Sequence, residues 1–233
     1  NFFLYIWHNP FFPHENRLWG KSWMNCMSEL GQWGRLLEFS KNKIYHESCI
    51  REDFITSAMT SSWKLLDFTS LKQMLSLINN EPGLSIDAYV VHYYKAILAL
   101  FGKSSPKNQR LLEIINPHIV KGFKSIDSKM SRLPQVITSS HLPLFRFIHL
   151  FADLHEIGKY NLIRLDQTSS GAPDTLALSL TNDFMTIHKL WRAHYPDKFD
   201  KLSHWSDVTC FRAFTVAKAL GYLDNINPKS IVN

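Results

Sequence analysis

Three cysteines (Cys26, Cys49 and Cys210) are all that the 233 residues contain, an odd number with no Cys-x-x-Cys spacing. No Asn-x-Ser/Thr sequence occurs either. A disulfide framework, a zinc ribbon and a glycosylated ectodomain are therefore without support, and a reducing compartment fits best. Long apolar runs are missing too. Phe2 to Trp7 falls far short of the roughly 20 residues a bilayer span needs, and Tyr89 to Phe101 is broken by His92 and Lys95. No segment reads as membrane-spanning. With only nine glycines and ten prolines, and with 45% hydrophobic and 20% charged residues, the chain is neither collagen-like, low-complexity nor disordered in composition. It must fold, and its length suits one large domain or two small ones. It opens at Asn1 rather than Met, without the basic start and small-residue cleavage site of a signal peptide, and so reads as a partial segment of something longer.

Catalytic and ligand motifs are equally scarce. Neither G-x-G-x-x-G nor G-x-x-x-x-G-K-[ST] occurs, so no glycine loop is present to cradle a phosphate. His46-Glu47 and His155-Glu156 begin like a zincin helix, but the fourth residue after each histidine is Ile50 or Lys159, so the second ligand is missing. The eleven histidines are scattered singly, the pattern of surface or hydrogen-bonded structural residues. Ser203, His204 and Asp207 crowd one helical turn, where side chains diverge too much to form a nucleophile, base and orienter; Ser203 or Ser206 reads instead as a helix cap. Cys26 and Cys49 read as buried, inert thiols. No enzyme chemistry, metal or cofactor is expected. A hydrolase built from a distant serine and histidine would require a pocket where Ser, His and a carboxylate converge.

The apolar residues that are present recur at helical spacing. Ile55, Met59, Trp63 and Leu66 form one stripe, and Ile86, Val90, Tyr93, Ile97 and Leu100 another that stops at Gly102. A third runs from Leu144 through Ile148, Phe151 and Leu154 to a stop at Gly158, with Ser140 as N-cap and Pro143 in the first turn. A fourth takes in Leu176, Leu180, Phe184, Ile187 and Trp191, opened by Pro173 and Asp174 and closed by Pro196. Strand signals reduce to Val136 to Thr138, so almost no sheet is expected.

An internal repeat organises these helices. Leu30, Trp33 and Leu36 map onto Leu65, Phe68 and Leu71 at a constant shift of 35, near the 34-residue tetratricopeptide period. Both copies straddle a tight break, Gly31-Gln32 in one and Asp67 in the other, so each unit reads as helix, turn, helix. A further shift reaches Leu100 but then Lys103 and Pro106, so the third unit needs a longer turn. The fold class expected is all-α, an irregular α-solenoid of tetratricopeptide-like antiparallel hairpins at roughly residues 15–41, 51–79, 85–122, 140–195 and 203–221. A lone hairpin cannot bury its apolar face, and stacking on its neighbours supplies that contact; Trp23, Trp33, Trp63, Trp191 and Trp205 read as packing anchors.

Charge is concentrated in one place. Between Lys95 and Arg132 eight basic residues stand against Glu113 and Asp127 alone, whereas the rest of the chain is balanced. Such a surplus attracts an acidic protein segment, a polyphosphate or nucleic acid, or simply keeps a surface soluble. Only Phe101 and Phe123 interleave the lysines, which is not a base-stacking platform, and direct nucleic-acid binding is not expected. The candidate surface for an acidic partner is Lys103, Lys107, Arg110, Lys121, Lys124, Lys129 and Arg132.

Four strings carry a resemblance. LWGKSWMNCMSELGQWGRLLEFS (Leu18 to Ser40), SSWKLLDFTSLKQML (Ser61 to Leu75), SRLPQVITSSHLPLF (Ser131 to Phe145) and MTIHKLWRAHYPDKFDKLSHWSDVTCFR (Met185 to Arg212) follow in this order. Together they resemble the FAT region of the large pseudokinases associated with transformation and transcription, within the phosphatidylinositol-kinase-related family. The most specific pieces are R-L-P-x-V-x-x-S-x-x-x-P-L and W-R-x-x-x-P followed by L-S-H-W-S. The resemblance implies one helical-repeat domain over residues 1–233, in a nuclear, non-catalytic scaffold of histone acetyltransferase complexes that docks transcriptional activators and other subunits. No catalytic residue is carried over, because the kinase-like domain of that family lies beyond its FAT region. Two alternatives stay open: the FAT region of an active kinase of the same superfamily, and a generic tetratricopeptide adaptor.

Overall fold

A computed structural model of the chain describes residues 13–43, 51–81, 83–102, 111–160, 184–198 and 200–220. Among them every regular element is a helix. These are α1 (Pro13–Glu29), α2 (Trp33–Lys43), α3 (Arg51–Lys64), α4 (Phe68–Asn80), α5 (Ala88–Phe101), α6 (Leu111–Met130), α7 (Leu142–Tyr160), α8 (residues 184–193) and α9 (Leu202–Ala219). The helices form two compact units, the first ending at Ile86 and the second beginning at Asp87. The expected 35-residue repeat lies in the first. The third expected turn, with Lys103 and Pro106, lies outside the described residues.

In the first unit each helix packs chiefly on the next in sequence, which is the contact pattern of a helical repeat. Both breaks in the repeat are the same left-handed helix stop. Gly31 and Leu66 have φ of +67° and +57°. The Gln32 and Asp67 N–H groups reach back to the carbonyls of Met27 and Ser62, and those of Gly31 and Leu66 to Ser28 and Trp63. This is the six-to-one and five-to-two bonding of a Schellman stop, which satisfies carbonyls that the helix end leaves free. The Gln32 and Asp67 carbonyls then accept from Leu36 and Leu71, so one residue ends one helix and begins the next. Only Asp67 adds a side-chain cap, accepting from the Ser70 N–H at 3.0 Å.

The apolar stripe of α3 is buried as expected, with Ile55, Met59 and Trp63 in the core beside Phe54, Leu36 and Leu71. Its last member, Leu66, sits in the turn rather than on the helix. Leu30 is 63% exposed, so its place in the repeat reflects turn geometry and not core packing. Polar contacts tie the helices across this core: Arg51 holds Glu81 at 2.8 Å, and Lys21 holds Asp53 at 2.8 Å.

In the second unit α5, α6 and α7 pack on one another. Val90, Tyr93, Ile97 and Leu100 of α5 are buried as the stripe requires, although α5 starts at Ala88, leaving Ile86 outside it. Phe151 of α7 is the centre, fully buried, with Tyr93 edge-on at 6.0 Å and Phe123 at 5.6 Å. Gly122 of α6 makes room for it: a Cβ there would lie 2.2 Å from the Phe151 ring.

Three expectations about helix ends are corrected. Gly158 does not stop α7, which continues to Tyr160; the glycine lets α7 approach α6, because a Cβ would come within 2.8 Å of Ile115. The α7 start falls one residue beyond Ser140: the His141 carbonyl receives the N–H groups of Leu144 and Phe145, with Pro143 inside the first turn as expected. Neither Ser203 nor Ser206 caps a helix. Lys201 precedes α9 with no side-chain cap, and both serines lie within the helix. In each case the packing or backbone register, which local composition does not encode, decided the boundary. Val136 to Thr138 forms no strand. Cys26, expected to be buried, is exposed on α1, and Cys49 lies outside the described residues. Of the fourth stripe, Ile187 and Trp191 are buried on α8, while Leu176 and Leu180 lie outside the described residues.

Candidate functional site

Of the seven residues expected to face an acidic partner, Lys103, Lys107 and Arg110 lie outside the described residues. Lys121 and Lys124 are exposed on α6, and Arg132 is exposed just beyond it. Lys129 is already occupied. Its ammonium pairs with the Asp87 carboxylate and lies 5.5 Å from the centre of the Tyr89 ring. Burial, and then the Asp87 carboxylate, push the Tyr89 phenol well above its usual range. Of the four described residues, Lys121, Lys124 and Arg132 are exposed, and Lys129 is exposed but held in an ion pair. Val120 and Phe123 share the exposed face of α6, 43% and 37% exposed.

Beside this face the α5–α6 hairpin brings together two histidines. The His92 and His118 rings stand 5.8 Å apart, tilted by 33°. Each is followed three residues later by a lysine, Lys95 on α5 and Lys121 on α6. Burial lowers the pKa of both imidazoles first; Lys95 and Lys121 add to this at His92, and His92 itself, then the same two lysines, at His118. Both rings are therefore neutral at pH 7. The Nδ1 atoms of both are covered and have no hydrogen-bond partner. Sequence reading passed over this pair because 26 positions separate its members; the repeated His-x-x-Lys spacing was the one available signal.

A second polar cluster joins α7, α8 and α9. Arg212 of α9 is 5% exposed and grips the fully buried Asp153 of α7 with two hydrogen bonds of 3.0 Å. It also donates to the carbonyls of Trp191 at 2.9 Å and His194 at 3.2 Å, at the end of α8. Its guanidinium lies over the rings of Trp191 and Tyr195, at 5.2 and 5.0 Å. A planar cation with five donors suits a site that needs two carboxylate bonds, two carbonyl bonds and two stacking faces. His149 stands 3.3 Å from the same guanidinium and packs edge-on against His204 at 5.4 Å. Burial lowers the pKa of both histidines, and it raises that of Glu156, which faces His194 at 3.5 Å. Arg146 of α7 pairs with Asp207 of α9. The cluster contains charge and hydrogen bonds but no nucleophile bonded to a base, so its chemistry is that of a clamp.

The crowded Ser203, His204 and Asp207 are separated by this arrangement. His204 faces Asp200 at 3.8 Å, and Asp207 is taken by Arg146. Among the described residues no group of three or more His, Cys, Asp and Glu could hold a metal ion, and no helix is long and apolar enough to cross a membrane. The tryptophans expected to be anchors pack between helices. Trp63 and Trp191 are buried, Trp23 lies 4.2 Å from Phe39, Trp33 sits under Lys64, and Trp205 stacks on Tyr195 while donating to the Asp197 carbonyl.

Comparison with known proteins gives a consistent family. The family model for the FAT domain matches residues 56–226. The chain is 28% identical over 207 residues to the transformation/transcription domain-associated protein of Mus musculus, covering 86% of this chain and 7% of that protein. The Homo sapiens protein of the same name is 27% identical over 207 residues, covering 86% of this chain and 5% of that protein. Transcription-associated protein 1 of Drosophila melanogaster is 26% identical over 213 residues, covering 88% and 5%. The chain thus spans less than a tenth of the length of these relatives. No solved structure matches the chain.

Proposed function

Because the chain belongs to the FAT domain family, we propose that it is a non-catalytic scaffold segment of a large nuclear transcription co-activator. In this reading it works within histone acetyltransferase complexes, docking activators and other subunits. The supporting observation is the coincidence of the family match with a helical-repeat architecture. Stacked hairpins present long faces, and the polar cluster that would first be tested for chemistry is spent on clamping α7 to α8 and α9. The relatives are named for transcription, which supports partners drawn from that process. The docking face for acidic activator segments is the exposed side of α6 with Lys121, Lys124 and Arg132, flanked by Val120 and Phe123. A segment that orders on binding loses conformational entropy, so attachment is modest per area and weakens with salt.

The test uses the full-length protein carrying this chain, purified with its bound subunits. Histone acetyltransferase activity that co-purifies, with no phosphate transfer from ATP, supports the reading. Phosphotransfer by the full-length protein would favour the FAT region of an active kinase instead. Co-purification of neither activity, with the protein behaving as a lone adaptor, would leave a generic helical-repeat adaptor as the better description.

A further inference from the structure

The loop between α6 and α7 is closed by hydrogen bonds at both ends, yet it turns apolar side chains outward. At its start the N–H groups of Ser131, Arg132 and Leu133 reach the carbonyls of Asp127, Lys129 and Met130. Its other end is pinned by the buried His141. The His141 Nδ1 accepts the Thr138 N–H at 3.0 Å, the His141 N–H donates to the Thr138 carbonyl at 3.0 Å, and the ring stacks on Phe145 at 6.2 Å. The peptide between Ile137 and Thr138 is therefore fixed beside the first turn of α7. Next to it Val136 and Ile137 are 76% and 69% exposed, and Leu142 and Phe145, on one side of that turn, are exposed as well. These four groups stay in water while their neighbours His141 and Leu144 are buried and hold the backbone. Large apolar groups gathered at a surface mark a contact site, and a backbone already fixed lowers the entropy lost when a partner lands on it.

Charge beside these groups is of one sign. From Ser128 to Ala152 the sequence holds no Asp or Glu. Lys129 and Arg146 are engaged with Asp87 and Asp207. Arg132 is exposed four positions before Val136, and Lys124 stands on the exposed side of α6, which continues through Asp127 and Ser131 into the loop. We propose that Val136, Ile137, Leu142 and Phe145 form an apolar ledge that seats the apolar side chains of an amphipathic acidic protein segment, whose carboxylates meet Arg132 and Lys124. The inference rests on the reading of α6 as the acidic-partner face and deepens it: the segment must carry apolar residues between its acids. Exposed charge pairs contribute little and are screened by salt, whereas apolar area removed from water supplies the driving force. A protein segment fits better than a lipid surface, because anionic membranes are held by clusters of about four to eight Lys or Arg, which this loop lacks.

The experiment measures, by fluorescence anisotropy, binding of a blocked peptide of three Asp-Phe-Asp-Leu repeats to the full-length protein carrying this chain. Affinity is expected to fall about tenfold or more when every Phe and Leu of the peptide becomes Ser, and likewise when the protein carries Val136→Ser/Ile137→Ser. Both replaced side chains face water, so they contribute little to folding. Equal binding of the Ser peptide, or unchanged binding by the double variant, overturns the ledge and leaves the basic α6 face standing. Absence of binding by both peptides overturns the ledge and the acidic-partner reading together, and a lower melting temperature of the double variant would then identify the protein's own chain as what covers the ledge. Phosphatidylserine vesicles bound through Val136 and Ile137 in preference to the peptide would make the ledge a lipid contact and overturn the proposal. Should the double variant fail to fold, the peptide carrying photoreactive leucine is cross-linked to the unaltered protein: labelling within residues 133–145 upholds the proposal, and labelling confined to other segments rejects it.

Discussion

Gly31 and Leu66 occupy the same position in two successive helix stops, 35 residues apart, both in left-handed backbone and with matching hydrogen bonds on either side. One is a residue made for that conformation; the other is not. Glycine adopts positive φ freely, whereas leucine meets a steric cost of about 1–2 kcal/mol there. Leu66 is kept by burial, being 9% exposed, and burying such a side chain contributes about 1.5–3 kcal/mol.

Both turns are predicted to lose stability on exchange, for opposite reasons. Gly31→Ala places a Cβ on left-handed backbone and costs about 1–2 kcal/mol. Leu66→Gly relieves the strain but loses the buried side chain and frees the unfolded backbone, for a net loss of about 1 kcal/mol. Urea denaturation of both variants checks this. A gain in stability for Leu66→Gly would mean that strain, not packing, dominates the second turn.

The α6–α7 crossing depends on the missing side chain of Gly122. Gly122→Ala puts a methyl 2.2 Å from the Phe151 ring and is expected to cost about 1–3 kcal/mol through overpacking. Adding Phe151→Leu to Gly122→Ala should return part of that loss, although Phe151→Leu alone destabilises by leaving space unfilled. Thermal melts of the two single variants and the double variant give the coupling, and strict additivity would refute the close contact.

Removal of Arg212 leaves the fully buried Asp153 carboxylate without its partner. Arg212→Leu is expected to destabilise by about 3–5 kcal/mol, while the double change Asp153→Leu/Arg212→Leu costs clearly less, because an apolar pair leaves no uncompensated charge. A double-mutant cycle in denaturant measures this. Equal losses in the single and double variants would show that the carbonyl bonds to Trp191 and His194, and not the ion pair, are what Arg212 supplies.

Stability should also fall with acid, and the sign follows from four half-buried histidines. The pKa values of His92, His118, His149 and His204 are lowered from the ordinary 6.5 in the folded state. Below pH 6.5 the unfolded chain therefore binds more protons, and their contribution to stability, full above 6.5, is lost as pH falls toward the lowered values. Glu156 acts in the opposite sense: its pKa is raised from the ordinary 4.5, so its contribution is present below 4.5 and is lost as pH rises through the raised value. Four groups outweigh one, so melting temperature should drop between pH 7 and pH 5. A flat profile would contradict the partial burial of the four rings.

The helices, their apolar faces and the tight breaks at Gly31-Gln32 and Asp67 were legible in the sequence, because each rests on local spacing, whereas Leu66 read as part of the α3 stripe. Ile55, Met59 and Trp63 recur with the helical period and are buried for that reason, and the 35-residue shift survives as two matching sets of backbone hydrogen bonds. Leu30 shares the shift yet faces solvent, so an apolar repeat identifies a turn as readily as a core. The resemblance was legible too, since the strings from Met185 to Arg212 include the residues of the Arg212 clamp: Trp191, His194, Tyr195 and Arg212 itself.

Pairing across the chain was decided only by the tertiary structure. Arg212 finds Asp153 from 59 positions away, His92 meets His118 from 26, and Gly158 proves to be a contact with Ile115 instead of a helix stop. Helix formation depends on neighbours within four residues, which a sequence displays directly. Which faces meet depends on how side chains of particular volume and charge fill the space between helices, and that sum over distant partners is made only when the chain packs.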